Sequence, residues 1–83
     1  MEQAAAIQIA SAARAAHAVF PGYAVLRAER RIIELEAQAG ASGPLVRDAR
    51  VWIVRFQGGM AWAELAVDEV TGSIVRVERS RAP

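Results

Sequence analysis

The sequence predicts an α+β domain: an N-terminal helix packed on one face of a three- to four-stranded antiparallel sheet. Three observations predict it. Residues 51–78, VWIVRFQGGMAWAELAVDEVTGSIVRVE, hold three apolar-rich runs separated by two turn signals. Residues 3–20 carry small and apolar side chains at helical spacing with no helix breaker among them. Pro21-Gly22 then punctuates the chain between the helical and the strand-like parts. No linker or repeat divides residues 1–83, so one domain is expected.

The helix is predicted over residues 3–20. Ala5, Ile9, Ala12, Ala16, Val19 and Phe20 form its apolar stripe, and Gln8, Ser11 and Arg14 fall away from it. Pro21 disfavours helical backbone at Phe20 and so ends the segment. Residues 24–39 are ambiguous. Val25, Ala28, Ile32 and Leu35 fit a helix, whereas Tyr23-Ala24-Val25-Leu26 opens like a strand that residues 31–35 could continue past a bulge. Residues 40–44, Gly-Ala-Ser-Gly-Pro, read as a loop, and residues 80–83 as a frayed tail.

Strands are predicted at residues 50–57, 60–68 and 73–79. Gly58-Gly59 turns the first pair, which places Phe56 opposite Ala61, Val54 opposite Ala63 and Trp52 opposite Leu65. A turn over Asp68-Glu69-Val70-Thr71-Gly72, with Gly72 left-handed, pairs Val67 with Val75 and Leu65 with Val77. One face then holds Trp52, Val54, Phe56, Leu65, Val67, Val75 and Val77 beneath the helix; with Ile7, Ile9, Val19 and Phe20 these make the expected core. The other face holds Ile53, Arg55, Trp62, Glu64, Ile74 and Arg76, with Arg55 across from Trp62 and Arg76 near Glu64.

Composition excludes several classes. Nineteen of 83 residues are alanine, so few large side chains are left to build a core. All ten basic residues are arginine, but nine acidic residues bring the net charge to +1, which gives no electrostatic footprint for nucleic acid. No apolar run reaches the roughly 18–20 residues of a membrane span. Cysteine is absent, so disulfides and thiolate metal sites are excluded. Glu2, Arg14 and His17 spoil any secretion signal at the start. With Met1 as the natural start a cytoplasmic location is expected; with a leader removed ahead of it, an extracytoplasmic one.

No catalytic constellation is recognisable. His17 is the sole histidine and has no carboxylate at helical spacing, so no metal or cofactor is expected. The serines lack a nucleophile motif, and Glu34 and Glu36 make a poor acid–base pair. Gly58-Gly59 lacks the lysine and helix of a phosphate loop, and Asp68 is better suited to forming a turn than to binding calcium. A non-enzyme is expected.

The helix ending in Phe20-Pro21-Gly22, the strand Val51-Trp52-Ile53-Val54-Arg55-Phe56, and Val67-Asp68-Glu69-Val70-Thr71-Gly72-Ser73-Ile74 together resemble the PepSY family of small domains. The resemblance implies a helix on an antiparallel sheet and a strand soon after Pro21-Gly22. It favours strand over residues 24–30, with the rest, to Ala39, an added helix or hairpin arm. It also implies a non-catalytic protein-binding or regulatory module, in some members a peptidase inhibitor, and supplies no catalytic residue. The alternative is a structural domain that self-associates into a homodimer. A small-ligand carrier is the least favoured reading, because no convergent polar group marks a pocket. Ile53, Arg55, Trp62, Ile74 and Arg76 form the expected partner-binding surface, unless residues 23–35 or a second copy simply cover it.

Overall fold

A computed structural model of the chain describes residues 1–40 and 43–81, and of residues 37–40 and 43–45 the backbone alone. The fold is α+β. Helix α1 (Gln3–Ala13) packs on one face of a four-stranded antiparallel sheet of order β1-β2-β3-β4. The strands are β1 (Ala24–Gly40), β2 (Gly43–Gly58), β3 (Ala61–Asp68) and β4 (Ile74–Arg79).

The helix is shorter and differently turned than its spacing predicts. Past Ala13 the chain runs through turns to Ala18. There the N–H of Val19 bonds the carbonyl of Arg14 at 2.9 Å and that of Ala18 bonds Ala15 at 3.3 Å. These are the two bonds of a Schellman stop, and Ala18 takes the left-handed position, φ +56°, that glycine usually fills. Ala6 and Ala10, not Ala12 and Ala16, are the fully buried helix residues. Their methyls let α1 lie close to the sheet, and Ile7 and Ile9 wedge beside the contact line. Phe20, expected in the core, is 67% exposed, whereas Val19 is buried.

The segment over residues 24–39 is strand throughout. β1 pairs with β2 from Ala24↔Gln57 to Gly40↔Gly43, with register shifts between Val25 and Arg27 and between Ala37 and Gly40. Gly40 and Gly43, expected in a loop, are therefore paired; Ala41 and Ser42 lie outside the described residues, as do Ala82 and Pro83 of the expected tail. β3 reaches β2 only from Val51 onward. Residues 32–40 and 43–50 therefore form a two-stranded arm beyond the body of the sheet.

The β2–β3 register lies two residues from the expected one. Phe56 faces Ala63, Val54 faces Leu65 and Trp52 faces Val67. The two-residue loop is Gly59-Met60, with Gly59 at φ +63° as a type II′ turn requires, and Gly58 stays in the strand. The cause is Tyr23. A β-carbon on Gly58 would stand 2.6 Å from Cδ1 of the Tyr23 ring, so Gly58 serves as the bare backbone on which that ring rests. A slip of two keeps every side chain on its expected face.

The β3–β4 turn behaves as expected at Gly72, which has φ +75° and donates to the Asp68 carbonyl at 2.9 Å. The strand after it does so only in part: Leu65 pairs with Val77 as expected, but Val67 does not pair with Val75. Ala66 pairs with Arg76 and Val67 with Ile74, so Val75 is the extra residue of a bulge. The bulge brings Ile74 to the helix side and leaves Val75 on the opposite side.

Each face has its own core. Trp52, Val54, Phe56, Leu65 and Val67 are buried beneath Ala6 and Ala10, with Ile74 and Val77 packed at the edge. On the other face Ile33, Ala49, Val51, Ile53 and Ala66 are buried, flanked by Leu35 and Val75. Among the described residues no helix or strand is layered on this second face, so its burial comes from side chains of the sheet itself.

Candidate partner-binding surface

The five residues expected at the contact surface do not all meet. Ile53 is on the second face but only 8% exposed, so it is floor and not contact. Ile74 is a correction: the β4 bulge puts it in the helix-side cluster, away from the other four. Arg76 is exposed on the second face, but its Nε is held by Glu78 at 3.1 Å and not by Glu64. Arg55 and Trp62 do come together.

Arg55 sits over the Trp62 indole, 4.4 Å from the ring centroid, although the register makes the pair diagonal and not directly opposed. Its Nη1 binds the Glu64 carboxylate at 3.2 Å, and its Nε donates to Gln57 at 3.2 Å. Each contact removes a rotamer choice from the arginine, so the indole has a fixed wall on one side. Further along the face, Glu29 takes Arg31 at 3.0 Å and Arg27 at 3.4 Å. The second face is thus an apolar floor under self-paired charges, with Trp62 at its β3 end.

Beyond Trp62 lies a groove that sequence reasoning missed. A cavity of 330 Å³ is lined by Ala18, Phe20, Tyr23, Trp62, Arg79 and Ser80, among others. Three elements build it. The Schellman stop at Ala18 throws Phe20 outward, and Phe20 meets Tyr23 edge-on at 5.6 Å between centroids. Arg79 donates to the His17 carbonyl at 2.8 Å, which ties β4 to the helix exit. Ser80 clamps the Trp62 backbone, its N–H donating to the Trp62 carbonyl at 2.9 Å and its Oγ accepting from the Trp62 N–H at 3.0 Å. Exposed Phe20 beside Pro21-Gly22 was the available signal, but the helical stripe assigned it to the core.

The β3–β4 turn is electrostatically set. Asp68, 5% exposed, accepts the N–H groups of Val70 at 2.8 Å and Thr71 at 3.0 Å. The Thr71 N–H and then the Val70 N–H hold its carboxyl below the usual carboxylate range, with Arg47 adding to the effect. These bonds are structural, and no second acid shares the position. Among the described residues no group of three or more histidine, cysteine or acidic side chains is placed to hold a metal ion. Among the described residues no helix is long and apolar enough to cross a membrane. No protein family, curated protein or solved structure matches the chain.

Proposed function

We propose that the chain is a non-catalytic protein-binding module of PepSY type, with a contact surface centred on Trp62. The observation that carries this reading is the clamped indole. Arg55 holds the Trp62 indole on the second face, and the same end of β3 borders, on the helix side, a groove walled by Phe20 and Tyr23. Aromatic side chains ordered before binding lose little entropy on contact, and tryptophan, tyrosine and arginine dominate contact hot spots. An apolar side chain from an extended segment of the partner fits the groove against Phe20 and Tyr23, with Arg79 beside it to meet a carbonyl or carboxylate, and the segment continues past the end of β3 onto the Trp62 indole. The narrower role, inhibition of a peptidase, follows from the family resemblance alone.

Selection of displayed random peptides against the purified domain tests the reading. Binders should carry aromatic or bulky apolar residues and lose affinity about tenfold or more for the double variant Phe20→Ser with Trp62→Ala, whose thermal transition stays close to that of the parent. Binders indifferent to that variant would move the contact surface elsewhere. Titration of thermolysin-like peptidases decides the narrower role, and unchanged peptidase activity at micromolar excess removes it.

A further inference from the structure

We propose that two copies of this chain join through the outer edges of their β1 strands, antiparallel about a two-fold axis at Ile32, to give one continuous eight-stranded sheet.

The edge is long and, past the Ala28 carbonyl that Gln3 takes, available. β1 stands at the end of the sheet order, seventeen residues with one neighbour. Gly58 and Ala61 close a two-residue hairpin, so even-numbered residues of β2 turn their N–H and C=O groups toward β3. The bond from the Glu69 N–H to the Arg50 carbonyl, 2.9 Å, agrees with this alternation. Odd-numbered residues of β2 therefore bond β1, and through the register odd-numbered residues of β1 bond back. The N–H and C=O of Ala28, Arg30, Ile32, Glu34 and Glu36 point outward. Gln3 marks this direction by donating to the outward Ala28 carbonyl at 3.1 Å. Open edges of this length are a template for strand addition.

The charge pattern selects the occupant and its direction. Residues 27–31 carry three arginines and one glutamate, and residues 32–36 carry two glutamates and no base. A parallel copy would set like charges side by side. An antiparallel copy sets the basic half of each strand against the acidic half of the other. With Ile32 opposite its own copy, Arg30 stands directly opposite Glu34, twice by symmetry, and both residues are of the outward-bonding set. The isoleucine on the axis is 67% exposed in the single chain.

Two local features point the same way. Glu34 lies directly across from Asp48 on β2, like charge against like, and among the described residues neither has an ion-pair partner. An arginine arriving from a second copy relieves that repulsion. At the other half of the strand a 350 Å³ pocket is lined by Arg30, Arg31, Ile32, Arg50 and Glu69; within the chain Arg30 pairs with Glu69 at 3.1 Å and Arg31 with Glu29 at 3.0 Å, so the arginine that meets the second copy's Glu34 shares its guanidinium with Glu69. The second copy's Glu34 enters beside it.

Sedimentation of the whole chain tests the proposal. The parent should be dimeric at about 100 μM and dissociate as salt rises. Ile32→Pro, which removes one outward N–H at a position where an edge strand accepts proline, should be monomeric with an unchanged thermal transition. Glu34→Arg alone and Arg30→Glu alone should each weaken self-association at least about tenfold, and an equimolar mixture of the two should restore it, because each unlike pair is re-formed in the mixed dimer. Should Arg30→Glu fail to fold through loss of its stacking on Trp52, the Ile32→Pro and Glu34→Arg results decide alone. A parent that stays monomeric to 1 mM, or a dimer indifferent to Ile32→Pro and Glu34→Arg, overturns the proposal. Neither substitution touches Trp62, so this outcome is separable from that of the peptide experiment.

Discussion

The guanidinium of Arg14 lies over the Phe56 ring, 4.8 Å from its centroid, and donates to the carbonyls of Phe20 and Tyr23. One side chain thus joins the helix exit, the turn around Pro21-Gly22 and the C-terminal end of β2. Its Nε is buried without a partner, a cost the fold carries for this junction. Arg14→Met keeps the apolar stem but removes the guanidinium donor from both carbonyls, leaving that of Phe20 only the Tyr23 N–H. Hydrogen bonds to a charged group contribute about 1.5–3 kcal/mol each and the stacking about 0.5–1, so a loss of roughly 2–3 kcal/mol is expected after relaxation. Urea unfolding measures it. A loss below about 0.5 kcal/mol would show that water replaces the donor and that Arg14 is no junction.

Two positions in the left-handed region carry opposite residues, and their exchanges should act in opposite directions. Ala18 has φ +56° and Gly72 has φ +75°. A β-carbon costs about 1–2 kcal/mol in this region, offset in part by the greater freedom of glycine in the unfolded chain. Ala18→Gly should therefore stabilise by about 0.5–1 kcal/mol and Gly72→Ala destabilise by about 1. At Gly72 the added carbon meets Ile9 at 3.5 Å and Met1 at 3.9 Å, ordinary contacts, so the effect there is conformational. Gly43→Ala, ahead of Pro44, should cost less than Gly72→Ala. Thermal transitions of the three variants rank them, and a destabilising Ala18→Gly would contradict the stop described at that residue.

How much of this was legible in the sequence depends on how far each cause acts. The faces of β2 and β3 were legible, because alternation is local and a register slip of two preserves it. The register itself was not. Two adjacent glycines offer two turns, and the choice is made by Tyr23, which rests on Gly58 from 35 residues away. β1 looked partly helical because its bulge at Leu26 spaces Val25 and Ala28 by three, the step of a helix. The β4 bulge exchanged Ile74 for Val75 on the second face, and with it one member of the expected contact surface. The Arg55–Trp62 stack survived the wrong register because long side chains reach diagonal neighbours. The groove by Phe20 depends on how a helix ends against a distant strand, and no local spacing encodes that.

Stability should fall in acid through Asp68. Its folded carboxyl titrates below the ordinary range because the Thr71 and Val70 N–H groups bond the charged form. A depressed folded pKa means that the unfolded chain binds the proton more readily. The stabilisation is then complete above the unfolded value, about 3.9, and is lost as pH falls through the folded value. Urea midpoints of the parent should decline over that acid window. Asp68→Asn should be less stable than the parent near neutral pH, and the gap should close in acid. A constant gap from pH 6 to pH 2 would assign the effect to geometry rather than charge.

Trp52 and Trp62 should respond differently to truncation, because only one of them is core. Trp52 is 9% exposed, shares the helix-side cluster with Val54, Phe56 and Val67, and donates its indole N–H to the Met1 carbonyl at 3.2 Å. Arg30 closes its outer side, 4.8 Å from the ring centroid. Removing such a ring leaves a cavity that a four-stranded sheet under one helix has little means to fill, at a cost of about 3–5 kcal/mol. A domain this small has a total stability on the order of 5 kcal/mol, so Trp52→Ala should be largely unfolded in the absence of stabilising osmolyte. Trp62 is only half-buried, on the face without a covering layer. Its truncation removes the Arg55 stack, about 0.5–1 kcal/mol, and leaves Arg55 still bound to Glu64 and Gln57. Trp62→Ala should therefore cost about 1 kcal/mol and keep a cooperative transition. Circular dichroism with urea unfolding separates the two. Comparable losses would mean that Trp62 is buried by something in solution, and a loss that grows with protein concentration would identify that something as a second copy lying on this face.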